Sequence, residues 1–210
     1  MIREFCAENF TNIPKAIAAG ANRIELCDNL AVGGTTPSYG VIQTTIEYAS
    51  QHDTEVVVMI RPRGGDFKYT KEEVLTMCRD ILALKYTGIK GVVFGAVRDG
   101  WIDEEVMNEL LKAAKPFEVT YHMAFDEIKK SLQNDAINWL AERGVMRILT
   151  HGGQEGSTIE ENLPYLLKLV EYSGQRITIL PGGGITYENS QTIADALSVK
   201  ELHGTRIVKI

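Results

Sequence analysis

Long hydrophobic runs are missing from this 210-residue sequence. Its apolar stretches fall well short of the roughly 18 consecutive residues that indicate a membrane-spanning helix. The first ten residues, MIREFCAENF, carry charges at Arg3, Glu4 and Glu8 and contain no apolar segment of the kind found in secretory signals. The sequence therefore predicts a protein with no membrane partner, and we expect it to be cytoplasmic.

Cysteine and excess positive charge are also scarce. The three cysteines, Cys6, Cys27 and Cys78, are few, and their odd number does not suit a disulfide framework. Such a set fits a reducing compartment. The formal net charge of −6 argues against a nucleic-acid partner, whose phosphates need neutralising. No linker, low-complexity tract or long charge block divides the chain, so we predict one domain over residues 1–210.

What the sequence does contain is a regular alternation of strand-like and helix-like segments. The strand-like segments cover residues 2–6, 23–27, 55–61, 91–95, 118–123, 147–150, 176–181 and 201–208. Alternation of this kind indicates parallel strands joined by helices, and eight strands favour a closed barrel over an open sheet. We therefore predict an α/β fold, a single (β/α)8 barrel of the TIM type.

Only seven helix-like segments accompany the eight strands. They cover residues 12–20, 38–51, 70–87, 103–115, 132–143, 158–173 and 186–197. The last helix of the barrel is therefore predicted to be missing. Apolar surface left bare at that place would favour a homodimer or a higher homo-oligomer.

Polar residues recur at alternate positions near the carboxyl ends of the predicted strands. Alternate residues of a barrel strand face the interior, and those near the carboxyl end point into the mouth where barrel sites lie. The pattern includes Glu4 and Cys6 in the first strand, Glu25 and Cys27 in the second, His122 in the fifth and His203 in the eighth. These side chains are predicted to converge.

The loops that follow the strands add further candidates. Arg61, Arg63 and Asp66 follow the third strand, His151 follows the sixth, and the run Gly182-Gly183-Gly184 follows the seventh. Barrels often hold a phosphate at the loops after strands seven and eight, where backbone N–H groups are exposed. Tight turns that need positive φ explain a glycine run equally well.

Two kinds of chemistry fit these residues. Thiolates of Cys6 and Cys27 would be soft ligands that select Cu(I), although buried cysteines commonly act as small apolar side chains. Alternatively, an enzyme for a small phosphorylated or carboxylated metabolite would hold its anion with Arg61 and Arg63. In that case Glu25 or His122 would move the proton.

Three further readings of the same residues stay open. In the enzyme hypothesis, Asp126 would orient His122 for proton transfer. Glu4, Glu25 and Arg61 could instead form a buried ion-pair layer without a function of its own. An oligomeric scaffold protein that binds neither copper nor a metabolite is the third hypothesis.

Five longer motifs make the sequence similar to a known family. They are GANRIELC at 20–27, GGTTPSYG at 33–40, IRPRGGDFKY at 60–69, VTYHMAFD at 119–126 and RILTHGG at 147–153. Together they resemble the CutC family, named for copper homeostasis. The resemblance implies a TIM barrel, a cytoplasmic protein that tends to oligomerise, and copper handling, as Cu(I), through Cys6 and Cys27.

The sequence departs from the family pattern near two predicted strand ends. Met123 stands where the family commonly has arginine, and Gly204 and Thr205 stand where it has serines. The change at Met123 removes a positive charge from the fifth strand end and adds a thioether. A thioether close to Cys27 would suit Cu(I).

Overall fold

A computed structural model describes residues 1–153 and 156–210 of the chain. Its main sheet has eight strands: β1 (Ile2–Glu8), β2 (Arg23–Cys27), β3 (Glu55–Met59), β4 (Gly91–Phe94), β5 (Glu118–Tyr121), β6 (Arg147–Thr150), β7 (Thr178–Pro181) and β8 (Glu201–Gly204). The helices are α1 (Ile13–Ala18), α2 (Tyr39–Ser50), α3 (Lys71–Ala83), α4 (Glu104–Ala114), α5 (Gln133–Glu142), α6 (Ile159–Ser173) and α7 (Ser190–Leu197). The predicted alternation of eight strands with seven helices is confirmed.

The strands form a nearly closed parallel barrel. Their order is β8-β1-β2-β3-β4-β5-β6-β7, and each neighbouring pair is parallel. Within the described residues, β7 and β8 share no ladder of their own. The chain closes this seam just beyond the strands, where Tyr187 N donates to Arg206 O at 2.8 Å. Residues 205–210 form no helix, as the sequence predicts.

Several segments differ from the sequence prediction at their ends, and for two of them the structure shows the reason. The fifth strand ends at Tyr121, because His122 Nδ1 accepts from Ala124 N at 3.2 Å and starts a 3-10 helix over Met123–Glu127. Helix α7 begins four residues later than predicted. Thr186 is held in a parallel bridge with Arg206 and cannot take a helical conformation at the same time.

The barrel wall carries two apolar layers. Side chains such as Phe5, Ile24 and Val92 face the helices and belong to the larger core cluster. Inside the barrel a smaller cluster packs at the mouth end, formed by Cys6, Cys27, Val57, Met59 and Val93. Burial of a large apolar side chain contributes roughly 1.5–3 kcal/mol, so both layers stabilise the strands and fix which side chains face inward.

None of the helices in the described part of the chain combines the length and the apolar character needed to cross a membrane. Helices α3 and α6 instead start with capping boxes typical of amphipathic surface helices. In these boxes Thr70 pairs with Glu73, and Thr158 pairs with Glu161.

Charged side chains of alternating sign fill the amino-terminal end of the barrel. Arg23 Nη2 lies 2.6 Å from Glu201 Oε2, and Arg147 Nε lies 2.8 Å from the same oxygen. Arg147 Nη1 lies 2.8 Å from Glu118 Oε2, and Lys90 Nζ lies 3.2 Å from the other Glu118 oxygen. These ion pairs lie at the opposite end of the barrel from the mouth and include neither Glu25 nor Arg61 of the hypothesised layer.

Glu201 joins the two buried arginines of these ion pairs, which makes its charge testable. We expect Glu201→Gln to lower the free energy of unfolding by about 3 kcal/mol, because it leaves buried cationic groups without their shared partner. Urea denaturation at neutral pH measures the change. The exposed Glu105 of α4 offers a matched control, since Glu105→Gln should stay within about 0.5 kcal/mol of the parent protein. Equal stabilities of the two variants would contradict the assignment.

Candidate functional site

A cavity of about 260 Å³ opens at the carboxyl end of the barrel. Seven of the residues predicted from the sequence line it, namely Cys6, Glu25, Arg61, His122, Gly183, Gly184 and His203. Several residues that the sequence argument did not single out also line it, including Leu30, Phe67 and Arg206. The predicted convergence of polar strand ends is therefore seen for most, but not all, of the set.

Two thiols and one carboxylate form the innermost part of this site. Cys6 Sγ and Glu25 Oε2 are hydrogen-bonded at 3.3 Å, and Cys27 Sγ lies 3.6 Å from the same oxygen. One ligand atom from each of the three residues lies within 4.8 Å of the other two. The strand register explains the cluster, because Cys6 stands directly opposite Glu25 on the inner face of neighbouring strands.

The two thiols differ in their access to solvent. Cys6 lines the cavity, whereas Cys27 is fully buried and lies behind Gly34. A β-carbon at Gly34 would lie only 3.2 Å from Cys27 Sγ, and Gly34 has a φ of +88°. Only glycine meets both conditions without strain. Cys6 is therefore the thiol that a metal or ligand in the cavity would reach first.

Glu4 connects this cluster to the ion pairs below it. Its carboxylate is paired with Arg23 on one side, and its Oε1 lies 2.8 Å from His203 Nδ1 on the other. Burial alone would raise the pKa of Glu4, but the hydrogen bond with His203 and the charge of Arg23 lower it from 4.5 to about 2. Glu4 is an anion under all ordinary conditions.

His203 lies between two carboxyl groups, and its protonation follows from them. Its Nε2 is 3.7 Å from Glu25 Oε2. Burial opposes the charged imidazolium, but the negative charge of Glu25 and the contacts with Cys6 and Glu4 raise the pKa of His203 well above its ordinary value. Burial is the main cause that raises the pKa of Glu25 itself. The neighbouring carboxyl groups therefore favour the imidazolium form of His203.

The shared environment also separates the two thiols. The hydrogen bond with Cys27, helped by His203, lowers the pKa of Cys6 well below that of a free thiol, against the effect of burial. The same hydrogen bond, together with burial, raises the pKa of Cys27. Cys6 is thus the more readily formed thiolate.

His122 lines another part of the cavity as a neutral imidazole. Burial and the charge of Arg61 lower its pKa to about 3. Its Nδ1 accepts from Ala124 N, so the ring hydrogen is on Nε2. That Nε2 is buried and has no hydrogen-bond partner within the described part of the chain. His122 therefore presents an unused donor.

Asp126 does not orient His122, so the predicted catalytic pairing of these two residues is wrong. The Asp126 carboxylate accepts from Thr150 Oγ1, from His151 N at 2.9 Å and from Gly152 N at 3.3 Å. Burial raises the pKa of Asp126 against the effect of these hydrogen bonds. Its visible role is to fix the loop after β6, because that loop presents its N–H groups to the carboxylate.

Arg61 lies in the cavity wall, but its guanidinium does not project over the mouth as predicted. Only 4% of the residue is exposed. Its Nη atoms donate to the carbonyl oxygens of Val32 at 2.8 Å, Gly34 at 3.0 Å and Gly65 at 2.6 Å. These contacts fix the loops after β2 and β3, and the Phe67 ring packs 4.8 Å from the guanidinium carbon.

Arg63 and Asp66 lie away from the cavity, and their predicted place at the mouth is wrong. Arg63 Nη2 pairs with Asp66 Oδ1 at 3.0 Å, and Arg63 Nε pairs with Glu73 Oε1 at 2.5 Å at the start of α3. The carbonyl of Lys68 accepts from the same guanidinium at 2.7 Å. Contacts within its own loop and helix engage this guanidinium, which draws it away from the barrel axis.

The glycine run after β7 is required by close packing. A β-carbon at Gly182 would lie 2.6 Å from Leu149 Cδ1, and one at Gly183 would lie 2.9 Å from His151 Cδ2. Gly183 also has a φ of +81°. His151 itself stands behind Gly183 and contacts Asn162 rather than the cavity. The explanation by a turn with positive φ therefore holds at Gly183 and at Gly184, whose φ is +82°, whereas Gly182 is required by packing alone.

Arg206 is the cavity residue that the sequence argument missed most clearly. It is exposed, lines the cavity and has no ion-pair partner among the residues that the structure describes. Its position in the loop after β8, three residues beyond His203, could have indicated from the sequence that it lies at the mouth. The strand-parity argument did not extend to that loop.

The fold and site define a class of (β/α)8 barrel protein with two thiols, two carboxyl groups and an imidazolium buried below its mouth. The model of the CutC family matches residues 1–208. A protein named CutC from Enterococcus faecalis is 56% identical over 209 residues, covering 99% of this chain and all of that protein. The chain belongs to the CutC family.

Three further proteins are similar to this chain to different degrees. The human copper homeostasis protein cutC homolog is 40% identical over 203 residues, which cover 96% of this chain and 72% of the human protein. The structure of CutC from Streptococcus agalactiae has a TM-score of 0.96 and 46% identity, covering 99% of this chain. An aldolase named QR15, with a TM-score of 0.67 and 12% identity, shares the barrel fold alone.

The low pKa of Glu4 predicts how acid acts on the protein. Because the folded-state pKa is about 2 and the ordinary value is 4.5, the stabilisation by Glu4 is complete above about pH 4.5 and is lost as the pH falls toward about 2. We expect Glu4→Gln to be about 3–5 kcal/mol less stable than the parent near pH 7. That difference should shrink in acid.

Urea unfolding of both proteins over this pH range measures the difference. Comparing the two chains removes the contribution of all other carboxyl groups, which titrate in both. A difference in unfolding free energy that stays constant down to the acid limit would contradict the ion-pair role of Glu4.

Proposed function

We propose that this protein serves copper homeostasis by binding Cu(I) through the thiolates of Cys6 and Cys27. The observation that carries the proposal is the cluster in which ligand atoms of Cys6, Cys27 and Glu25 lie within 4.8 Å of one another. Soft thiolates favour Cu(I) among the ions of the cell. The name of the human relative, a copper homeostasis protein, agrees with this choice.

The donor set fits Cu(I) better than Zn²⁺. A structural zinc site needs four ligands, whereas only one carboxyl group joins the two thiols here. His203 is engaged with Glu4 through Nδ1 and faces Glu25 through Nε2, so its imidazolium supplies charge rather than a ligand. Two thiolates with one Cu(I) carry a net negative charge, which a neighbouring imidazolium offsets.

The cavity supplies the route for the metal. Cys6 lines it, and Cys27 lies directly behind, so an ion that enters from the mouth meets the more acidic thiol first. Met123, in the place of the usual family arginine, lines the same cavity and adds a soft thioether along this route. Its direct contact with a metal near Cys27 stays a prediction.

The proposal includes a cytoplasmic location and a homodimer or higher homo-oligomer. Reduced thiols suit a reducing compartment. Without an eighth helix, Tyr187 and Ile210 remain exposed, at 45% and 52%. Light scattering at micromolar concentration tests the assembly, and a strictly monomeric protein would contradict it.

A Cu(I) titration against a competing chelator tests the metal site. Removing a residue that only hydrogen-bonds to a metal ligand typically weakens metal binding about 10- to 100-fold. We expect Cys6→Ser and Cys27→Ser to weaken Cu(I) binding more than this, because each removes a ligand itself. Cys78→Ser is the matched control. Cys78 is also buried, and its Sγ lies 3.9 Å from the carboxylate of Glu109. It belongs to α3, however, and therefore lies outside the barrel.

The control should bind Cu(I) with the affinity of the parent protein. If all three variants and the parent have the same affinity, the thiols of Cys6 and Cys27 are not the ligands. Circular dichroism of each variant before titration checks that the barrel is intact.

A further inference from the structure

Arg61 is a buried cation without a buried anion to match it. Its guanidinium hydrogen bonds all go to neutral carbonyl groups, and no carboxylate of the described residues lies within ion-pair distance. Its Nε is buried and lacks any hydrogen-bond partner there. The barrel contains several buried charges, but the others have partners of opposite sign. Arg61 is therefore the charge that the protein itself leaves uncompensated.

Such an arrangement is costly unless something completes it. An unpaired buried charge destabilises the folded state, and a buried donor without an acceptor destabilises it further. Carbonyl oxygens solvate the guanidinium in part but carry no net charge. Because Arg61 lines the cavity, a molecule bound there can supply the missing negative charge.

His122 provides a second unused donor in the wall of the same cavity. Its Nε2–H is buried without a partner, and its ring stands 4.7 Å from the Phe67 ring, which also packs against Arg61. Arg61 and His122 therefore flank one aromatic side chain. Neither residue is one of the proposed copper ligands, Cys6 and Cys27.

The loops after β7 and β8 add to the positive character of the cavity. Gly183 and Gly184 line it, and no hydrogen bond from their backbone amides is seen within residues 1–153 and 156–210. The Arg206 side chain lines it without an ion-pair partner there. Barrels commonly bind anionic groups at the loops after these two strands. Glu25 lines the cavity too, and its carboxyl group faces Cys6, Cys27 and His203.

We propose that the cavity binds a small organic anion whose negative charge compensates Arg61 and which contacts the Arg61 and His122 side chains in the cavity wall. The volume of about 260 Å³ lies below the 300–1,000 Å³ of pockets for drug-sized ligands, so the ligand is a small metabolite. Arg206 and the Gly183 and Gly184 amides bind a second polar group of the ligand. The residues of this anion site are different from the proposed Cu(I) ligands. An enzyme acting at the mouth would need such a site to bind its substrate.

Isothermal titration of the metal-free protein tests the proposal. The probes are acetate, malonate, succinate and glycerol 3-phosphate, each compared with its uncharged counterpart: acetamide, malonamide, succinamide and glycerol. We expect at least one anion to bind and its counterpart not to bind. If no anion binds, or if anion and counterpart bind equally, the proposal is overturned.

Three variants then locate the bound anion. Arg61→Gln removes the buried charge, and Arg206→Gln removes the exposed one without disturbing an ion pair. His122→Asn keeps an acceptor for the Ala124 amide while removing the Nε2 donor. We expect each to weaken binding at least tenfold. Arg79→Gln is the matched control, because it removes the same charge from the exposed face of α3 and should bind as the parent does.

Arg61 also fixes two loops, so a misfolded Arg61→Gln would leave the other two variants to decide. Unchanged binding by both Arg206→Gln and His122→Asn overturns the placement of the ligand. The Cu(I) titration on His122→Asn keeps the two proposals distinguishable. It should match the parent, whereas the cysteine variants should lose copper and retain the anion.

Discussion

The structure depends on one buried carboxylate, that of Glu4, which stands inside the barrel between two cations. Arg23 joins it to the ion pairs at the amino-terminal end, and His203 joins it to the thiol cluster below the mouth. A carboxylate buried in this way is tolerated only because both neighbours neutralise it. The two ends of the barrel are therefore electrostatically linked through a single side chain.

The consequences of that link reach the mouth. His203 is held in its charged form by the carboxyl groups on either side, and its charge favours the thiolate of Cys6. Burial raises the pKa of Glu25 next to the thiols. The positive charge of Arg61, by contrast, belongs to no such network. One part of the cavity thus suits a soft cation, and another part suits an anion.

Sequence reasoning worked where strand geometry decided the outcome. Adjacent parallel strands place residues of the same parity side by side, so Cys6 meets Glu25, and Glu4 meets His203. It failed in the loops. Arg63 turned toward Glu73 at the start of α3, and Asp126 turned toward the backbone after β6. No periodic pattern specifies the path of a loop, and a long polar side chain takes whichever partner the loop offers.

The sequence by itself determined the alternation of strands and helices, the lack of a helix in residues 205–210, the family, and which strand residues face the barrel interior. Those features follow from local periodicity and from residue type, which have the same effect in every barrel with this pattern of strands and helices. Only the tertiary structure decided which of the inward polar groups are satisfied. Carbonyl groups from two loops accept hydrogen bonds from the Nη atoms of Arg61, whereas His122 keeps a free donor. The partners of Arg61 come from chain segments that meet only when the barrel is closed.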